Sequence, residues 1–258
     1  MKNFFYLMAC CTLILSIPAI GHSRNLEEIL ESGTLKVGTT GDYKPFSFNN
    51  NGNYEGFDIA VAKSFAKKLG VKVEFVPTTW RTLMADLKSD KYDIGMSGIT
   101  RTISRQKDAR FSQGYVMFGK TPLVTQEQAQ KFTSLADIDQ KGVRIGVNPG
   151  GTNEKFVKAN IKNAEVVMFE SNLAIPKAVA AGKVDVMITD SVEALYYAAT
   201  NEKLAAPLAD KPFTRSELGY PMSADAERLQ DTVNFMMDQM ILKGEMATLK
   251  MEYLHMTE

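Results

Sequence analysis

The chain has 258 residues, with 30 Lys and Arg against 30 Asp and Glu. That balance leaves no basic footprint for nucleic acid, and the length allows one large or two modest domains. A hydrophobic share of 45% is ordinary for a globular protein.

Lys2 opens a nearly continuous apolar run over 4–20, and Ala19-Ile20-Gly21 offers small residues for cleavage near His22 or Ser23. This predicts a cleaved signal peptide over 1–23 and export, with no stable membrane anchor in the mature chain. A retained anchor would need a basic stop-transfer cluster, which does not follow. Leu7-Met8-Ala9-Cys10 loosely resembles a lipobox and leaves a lipoprotein as the alternative. Both cysteines, Cys10 and Cys11, fall in this segment, so the mature chain would hold no disulfide, thiol nucleophile or cysteine metal site. The histidines, His22 and His255, lie far in sequence from every motif below. Neither a Ser-His-Asp triad nor a histidine zinc site is therefore expected.

A short helix is expected over 26–31 and a strand over 34–39, where Leu-Lys-Val-Gly alternates. Residues 41–46 read as a loop, because Pro45 bars a helix, and 49–53 as a polar turn. The apolar spacing of Phe57, Ile59, Val61, Ala62, Phe65, Ala66 and Leu69 predicts an amphipathic helix ended by Gly70. A strand over 71–76, a helix from Thr79 to about Leu87 and a short strand over 93–97 complete an open α/β unit. The pattern then repeats. Strands are expected over 143–148, 165–169 and 184–188, with helices over 152–160, 172–181 and from Ser191 onward. The chain links the units through 115–125 and returns through 218–223, after Pro207 and Pro212 break the pattern; helices close it over 226–253. Two crossings imply a hinge between a discontinuous first lobe, 24–118 with 222–258, and a second lobe, 119–221.

Four stretches read as walls of a cleft. They are Gly41-Asp42-Tyr43-Lys44-Pro45-Phe46, the run from Ser97 to Arg105, Asn148-Pro149-Gly150-Gly151-Thr152-Asn153-Glu154, and the Thr189-Asp190-Ser191-Val192-Glu193 junction. A strand that ends in a helix N-terminus presents N–H groups and polar side chains at one point.

These stretches, with Gly56-Phe57-Asp58, Asp93-Ile94 and Phe111-Ser112, resemble the periplasmic solute-binding proteins for polar amino acids. A narrower resemblance rests on Thr39 to Phe46, Ser97-Gly98-Ile99, Gly119-Lys120-Thr121-Pro122 and the run from Asn148 to Phe156. These look like periplasmic cyclohexadienyl dehydratases, enzymes on the receptor fold that convert prephenate to phenylpyruvate and arogenate to phenylalanine. The resemblance implies a periplasmic-binding-protein-like fold of two α/β lobes, a periplasmic location, a small carboxylate substrate and no cofactor or metal. It leaves a homo-oligomer open. A receptor for a polar amino acid feeding an ABC importer is the alternative.

The resemblance places Tyr43, Trp80, Ser97, Thr100, Arg105, Lys120, Asn148, Gly151, Thr152 and Asp190 at the substrate. Arg105 would clamp a carboxylate through its planar fork; taken alone, without the resemblance, it reads first as a surface arginine bridging Asp108. Gly150-Gly151-Thr152 precedes a helix and suits an anion, or simply carries an N-cap at Thr152. Receptors of this family often have a hydroxyl residue at the Gly151 position, so glycine leaves room for a bulkier ring. Tyr43 and Trp80 are aromatic walls for that ring, or core packing. Lys44 and Lys120 are candidate cations for a second carboxylate, or solvated lysines. In the receptors the residue matching Asp190 takes the ligand's ammonium, and the Glu193 position is usually apolar. Glu193 is the candidate general acid for expelling the ring hydroxyl, with Glu154 the rival; Asp190-x-x-Glu193 also satisfies a capping box.

Overall fold

The protein is described from a computed structural model covering residues 24–256; the expected signal peptide lies outside the described residues. Among those residues no helix is long and apolar enough to cross a membrane. The α/β architecture with two sheets forming two lobes is as expected. In the first sheet the strand order is Lys72–Pro77, Thr34–Thr39, Ile94–Gly95, Pro221–Met222, Arg110–Phe111. In the second it is Glu165–Met168, Arg144–Val147, Val186–Asp190, Lys120–Thr125, Leu204–Ala205. Each begins with three parallel strands and then takes an antiparallel strand next to a crossing: Pro221–Met222 from the returning chain in the first sheet, Lys120–Thr125 from the outgoing link in the second. The two crossings pair with each other: Val116–Phe118 runs antiparallel to Ser216–Leu218.

The helix Phe57–Leu69 matches its sequence pattern. It buries Phe57, Ile59, Val61, Phe65 and Ala66, carries Lys67 and Lys68 at the negative end of its dipole, and stops at Gly70 with φ +72°. In the second sheet, neighbouring residues point to opposite faces. Val124 and Ile188 join one apolar cluster, while Leu123 and Met187 join the other. Both faces of that sheet are therefore covered.

Three departures from the expected elements matter for the cleft. The helix expected from Thr79 begins at Leu83, because the Thr79 and Thr82 side chains take backbone donors at the turn. Trp80 thus sits on a turn. The helix expected from Asn172 begins at Ala174, and Asn172 is free to reach across the cleft. The strand expected to end at Ile188 continues to Asp190, because Lys120–Thr125 pairs with it as far as Asp190↔Lys120. The link expected over 115–125 thus contains a pairing strand. In addition, the loop expected over 41–46 contains a two-residue strand, Asp42–Tyr43, paired with Ser47–Asn50.

Asp58 ties these parts together. Fully buried, it accepts hydrogen bonds from Gly98 N at 2.5 Å and from the hydroxyls of Tyr115 and Tyr220 at 3.0 Å each. Tyr115 and Tyr220 flank the two crossings and stack at 4.6 Å. Burial raises the Asp58 carboxyl from an ordinary 3.8 to about 7, against the lowering effect of its three donors. A raised folded-state value favours the neutral acid, so its contribution to stability is full below about pH 4 and is lost as pH rises through about 7. Asp58→Asn cannot titrate. Its melting temperature relative to the parent should therefore improve by several degrees between those limits in a pH series of thermal melts; a constant gap would contradict the assignment.

Candidate active site between the lobes

Asp190 ends its strand and stands at the N-cap of the helix Ser191–Thr200, yet its side chain makes no capping bond. Its carboxylate instead accepts from Lys120 Nζ, its cross-strand neighbour, and from the Tyr43 hydroxyl in the first sheet's lobe. Lys120 Nζ also donates to Thr152 Oγ1 at 2.8 Å and Asn153 Oδ1 at 2.5 Å. These three acceptors use all three ammonium protons. Lys120 is thus buried as an internal counter-ion, and neither the solvated lysine nor a cation free for a second carboxylate describes this arrangement. Lys44 lies over the Phe48 ring at 4.4 Å, outside the cluster.

The cavity here is lined by Tyr43, Trp80, Gly98, Thr100, Asn148, Gly151, Thr152, Asn153, Asn172 and Asp190. Its volume is about 20 Å³, room for roughly one water molecule. The lobes are closed upon it: besides Tyr43 and Asp190, Thr100 Oγ1 meets Thr152 Oγ1 at 3.3 Å and Asn172 Nδ2 donates to the Asp42 carbonyl at 3.3 Å. The Trp80 ring stands edge-on to Tyr43 at 5.6 Å, and its indole N–H donates to Asp42 Oδ1 at 2.9 Å.

Arg105 is buried. Its Nη1 donates to the carbonyl of Thr100, a lining residue, at 2.9 Å. Asp108 pairs with Lys88 instead, so the surface-bridge reading of Arg105 is wrong. Burial lowers the guanidinium to about 10, partly opposed by Asp190; it remains a cation at neutral pH. Ser97 does not line the cavity. It is fully buried in a hydroxyl network with Thr39, Thr40 and Ser47 that shapes the loop beneath Tyr43.

Two carboxyls at first turns of helices have opposite environments. Glu193 is wholly inaccessible and accepts from Asn172 Nδ2 at 2.6 Å and from the Thr189 hydroxyl. It does not bond back to Asp190, so the capping box does not form. Burial drives its carboxyl well above the ordinary range, and the charges of Asp190 and Asp42 add to this against the two hydrogen bonds. It lies behind Asn172 and Asp190 and is not itself a lining residue. Glu154 is bonded by Gly150 N at 2.7 Å and by Lys158 at 2.6 Å, which hold it below the ordinary range.

Asn153, Asn172, Gly98 and Asp42 belong to the site and were not singled out from sequence as substrate contacts. Asn153, Gly98 and Asp42 lay inside quoted motif strings. Asn172 had no signal, because it joins the site through contacts 21 and 130 residues away.

Gly150, rather than Gly151, is the conformationally demanding glycine. It has φ +93°, and a Cβ there would meet the Arg81 backbone N at 2.6 Å. A Cβ at Gly151 would meet only Asn153 N, at 3.9 Å. Gly150→Ala should cost more than about 1 kcal/mol of stability, whereas Gly151→Ala should stay within about 0.5 kcal/mol. Denaturant titration of both variants checks the contrast.

The profile of bacterial extracellular solute-binding proteins, family 3, matches residues 35–256. A cyclohexadienyl dehydratase of Pseudomonas aeruginosa is 42% identical over 228 residues, covering 87% of this chain and 85% of that protein. Among solved structures, an ancestral amino acid-binding protein described as a precursor of cyclohexadienyl dehydratase superposes with a TM-score of 0.83 at 40% identity, covering 89% of this chain and 99% of that one. An ancestral cyclohexadienyl dehydratase is 57% identical, with a TM-score of 0.57 and coverage of 92% and 98%. The resemblance read from the motifs is thereby borne out, and the chain belongs to the family 3 bacterial extracellular solute-binding proteins.

Proposed function

We propose that this protein is a periplasmic cyclohexadienyl dehydratase, a carbon–oxygen lyase acting on prephenate and arogenate. The observation that carries the proposal is Glu193: a wholly buried carboxyl, beside Asp190, in an environment that keeps its proton. Loss of the ring carboxylate as carbon dioxide leaves an electron pair that becomes ring π density. The hydroxyl at the opposite ring carbon departs with its own bonding pair and needs one proton to leave as water. A neutral carboxylic acid supplies that proton. The step needs no electron carrier, because the substrate's own bonds provide both pairs.

The lobes 24–118 with 222–258 and 119–221 are the units that part to admit substrate, since the closed cavity of about 20 Å³ is far too small for it. Parting breaks the Tyr43–Asp190 contact and uncovers Asn172, giving Glu193 access to the bound ring. Arg105 holds a substrate carboxylate, and Trp80 and Tyr43 flank the ring. Reclosure excludes water from the reacting carboxylate. Lys120 orders Thr152 and Asp190 rather than binding substrate directly, and Ser97 shapes the loop beneath Tyr43. Export by a cleaved signal peptide places the enzyme in the periplasm. The competing reading, a receptor for a polar amino acid, rests on Arg105 and Asp190, which suit either role.

Purified protein incubated with prephenate near neutral pH should yield phenylpyruvate, seen by its absorbance in alkali; recovery of unchanged prephenate would favour the receptor. Glu193→Gln should lower turnover by about 10²–10⁴-fold with little effect on substrate binding. The acid form is the active one, so kcat should fall on the alkaline side, and the residual activity of Glu193→Gln should lack that limb. Glu154→Gln should retain turnover; if it alone abolished activity, the acid would be Glu154.

Arg105→Lys keeps the charge and loses the fork. Calorimetry with a nonreactive dicarboxylate analogue should show binding weakened by about 1.5–3 kcal/mol. Unchanged affinity would remove Arg105 from the substrate.

A further inference from the structure

Buried polar atoms without a hydrogen-bond partner are rare in folded proteins, and each calls for a reason. Among the described residues two side-chain atoms are in that position, Thr121 Oγ1 and Asn172 Oδ1. Thr121 does not line the cavity; Asn172 does. Asn172 is 1% exposed and stands in the turn before the helix Ala174–Ala180, where its backbone carbonyl accepts from Ile175 N.

Neighbouring groups fix the direction of this side-chain amide. Nδ2 donates to Glu193 Oε1 at 2.6 Å and to the Asp42 carbonyl at 3.3 Å. A backbone carbonyl only accepts, so a flipped amide would set two oxygens against each other. Both amide hydrogens are thus engaged, and Oδ1 remains an acceptor with nothing to accept. The two bonds respond differently to opening. Asp42 lies in the lobe of the first sheet, so its contact is lost when the lobes part. Asn172 and Glu193 lie together in the lobe of the second sheet and stay bonded. Reclosure restores the Asp42 contact and with it the direction of the amide.

The open acceptor selects what can stand before it. A ligand carboxylate has no hydrogen to give. A ligand ammonium is drawn instead to the Asp190 carboxylate, whose Tyr43-bonded oxygen is freed when the lobes part. A hydroxyl suits a neutral acceptor, and the hydroxyl that must lie beside Glu193 is the one that leaves the ring.

We propose that Asn172 is a second catalytic residue: its Oδ1 accepts the hydrogen of the departing ring hydroxyl while its Nδ2 holds Glu193 against the oxygen of that hydroxyl. The proposal rests on the dehydratase reading above. Three hydrogen bonds then close a ring: Asn172 Nδ2–H to Glu193 Oε1, Oε1–H to the hydroxyl oxygen, and the hydroxyl hydrogen to Asn172 Oδ1. The Oε1 proton moves to the hydroxyl oxygen as the carbon–oxygen bond breaks with its pair on oxygen. The pair left by carbon dioxide becomes ring π density. Water remains on Asn172 Oδ1, and the Glu193 carboxylate is held by the amide N–H and the Thr189 hydroxyl until solvent reprotonates it after opening. Prephenate and arogenate share the ring hydroxyl, so the contact serves both.

Asn172→Leu keeps a similar volume and removes both polar atoms. Steady-state kinetics near neutral pH should show kcat lowered by about 10–100-fold, by the same factor for prephenate and L-arogenate. A binding comparison separates a hydroxyl contact from a merely structural role. Calorimetry on the slow Glu193→Gln background titrates prephenate and phenylpyruvate, which lacks the ring hydroxyl. Adding Asn172→Leu should weaken prephenate by about 3–10-fold and leave phenylpyruvate within about twofold. An Asn172 that only props the turn would weaken both ligands alike; that result, or an unchanged kcat, overturns the proposal. If the parent turns over neither substrate, the dehydratase reading fails by itself. The binding comparison then still decides the contact: a loss confined to prephenate retains it, and equal losses, or no prephenate binding at all, overturn it. Should Asn172→Leu fail to fold, Asn172→Ala is measured in its place with the same expected outcomes.

Discussion

The site depends on one constraint: a carboxylate buried at the end of a strand must be paired. Asp190 is such a group, and its pairing organises everything around it. Lys120 supplies the charge because the antiparallel strand Lys120–Thr125 places it directly opposite. Lys120 in turn needs three acceptors, which brings Thr152 and Asn153 to the same point and thereby anchors the Gly-rich turn that precedes them. Tyr43 reaches the remaining oxygen only when the lobes meet. One buried charge thus couples the sheet, the anion-facing helix and the state of the hinge. Removing a single partner from such a set is expensive, because an unpaired charge remains in the interior.

Glu193 and Glu154 show how environment separates two chemically identical side chains. Each lies in the first turn of a helix, where the dipole favours the anion. Glu154 meets a backbone N–H and a lysine at the protein edge, and stays ionised. Glu193 is sealed beneath Asn172 with no cation in contact among the described residues, and burial, with Asp190 and Asp42 nearby, drives its carboxyl well above the ordinary range. The same residue type is thus held at opposite ends of the carboxyl range by its surroundings.

The hinge is held by a second buried carboxylate. Asp58 gathers the Gly98 turn and the two tyrosines that flank the crossings. The Gly98 turn lies against the Tyr43 ring and lines the cavity. The elements that pass between lobes and the loop that faces the ligand are therefore anchored on the same helix.

The sequence by itself determined the alternating α/β plan, the amphipathic helix Phe57–Leu69 and the family, because periodicity and short motifs are local properties. It also pointed to Asp190, Glu193, Arg105, Tyr43 and Trp80, since each sits within or next to a recognisable turn. What it left open was which alternative each residue takes. Asp190-x-x-Glu193 is spaced for a capping box, yet neither side chain caps, because each has a stronger partner distant in sequence: Lys120 for one and Asn172 for the other. Gly151 was expected to leave room at the site and does line the cavity, while the positive φ of the turn falls on Gly150, which the motif did not single out. Ser97 looked like a ligand contact and is a loop support. Asn172 carried no signal at all. These outcomes depend on contacts between residues tens to more than a hundred positions apart, where burial decides whether a carboxyl keeps its proton and whether a lysine is a ligand or a counter-ion. Only the assembled lobes set that burial.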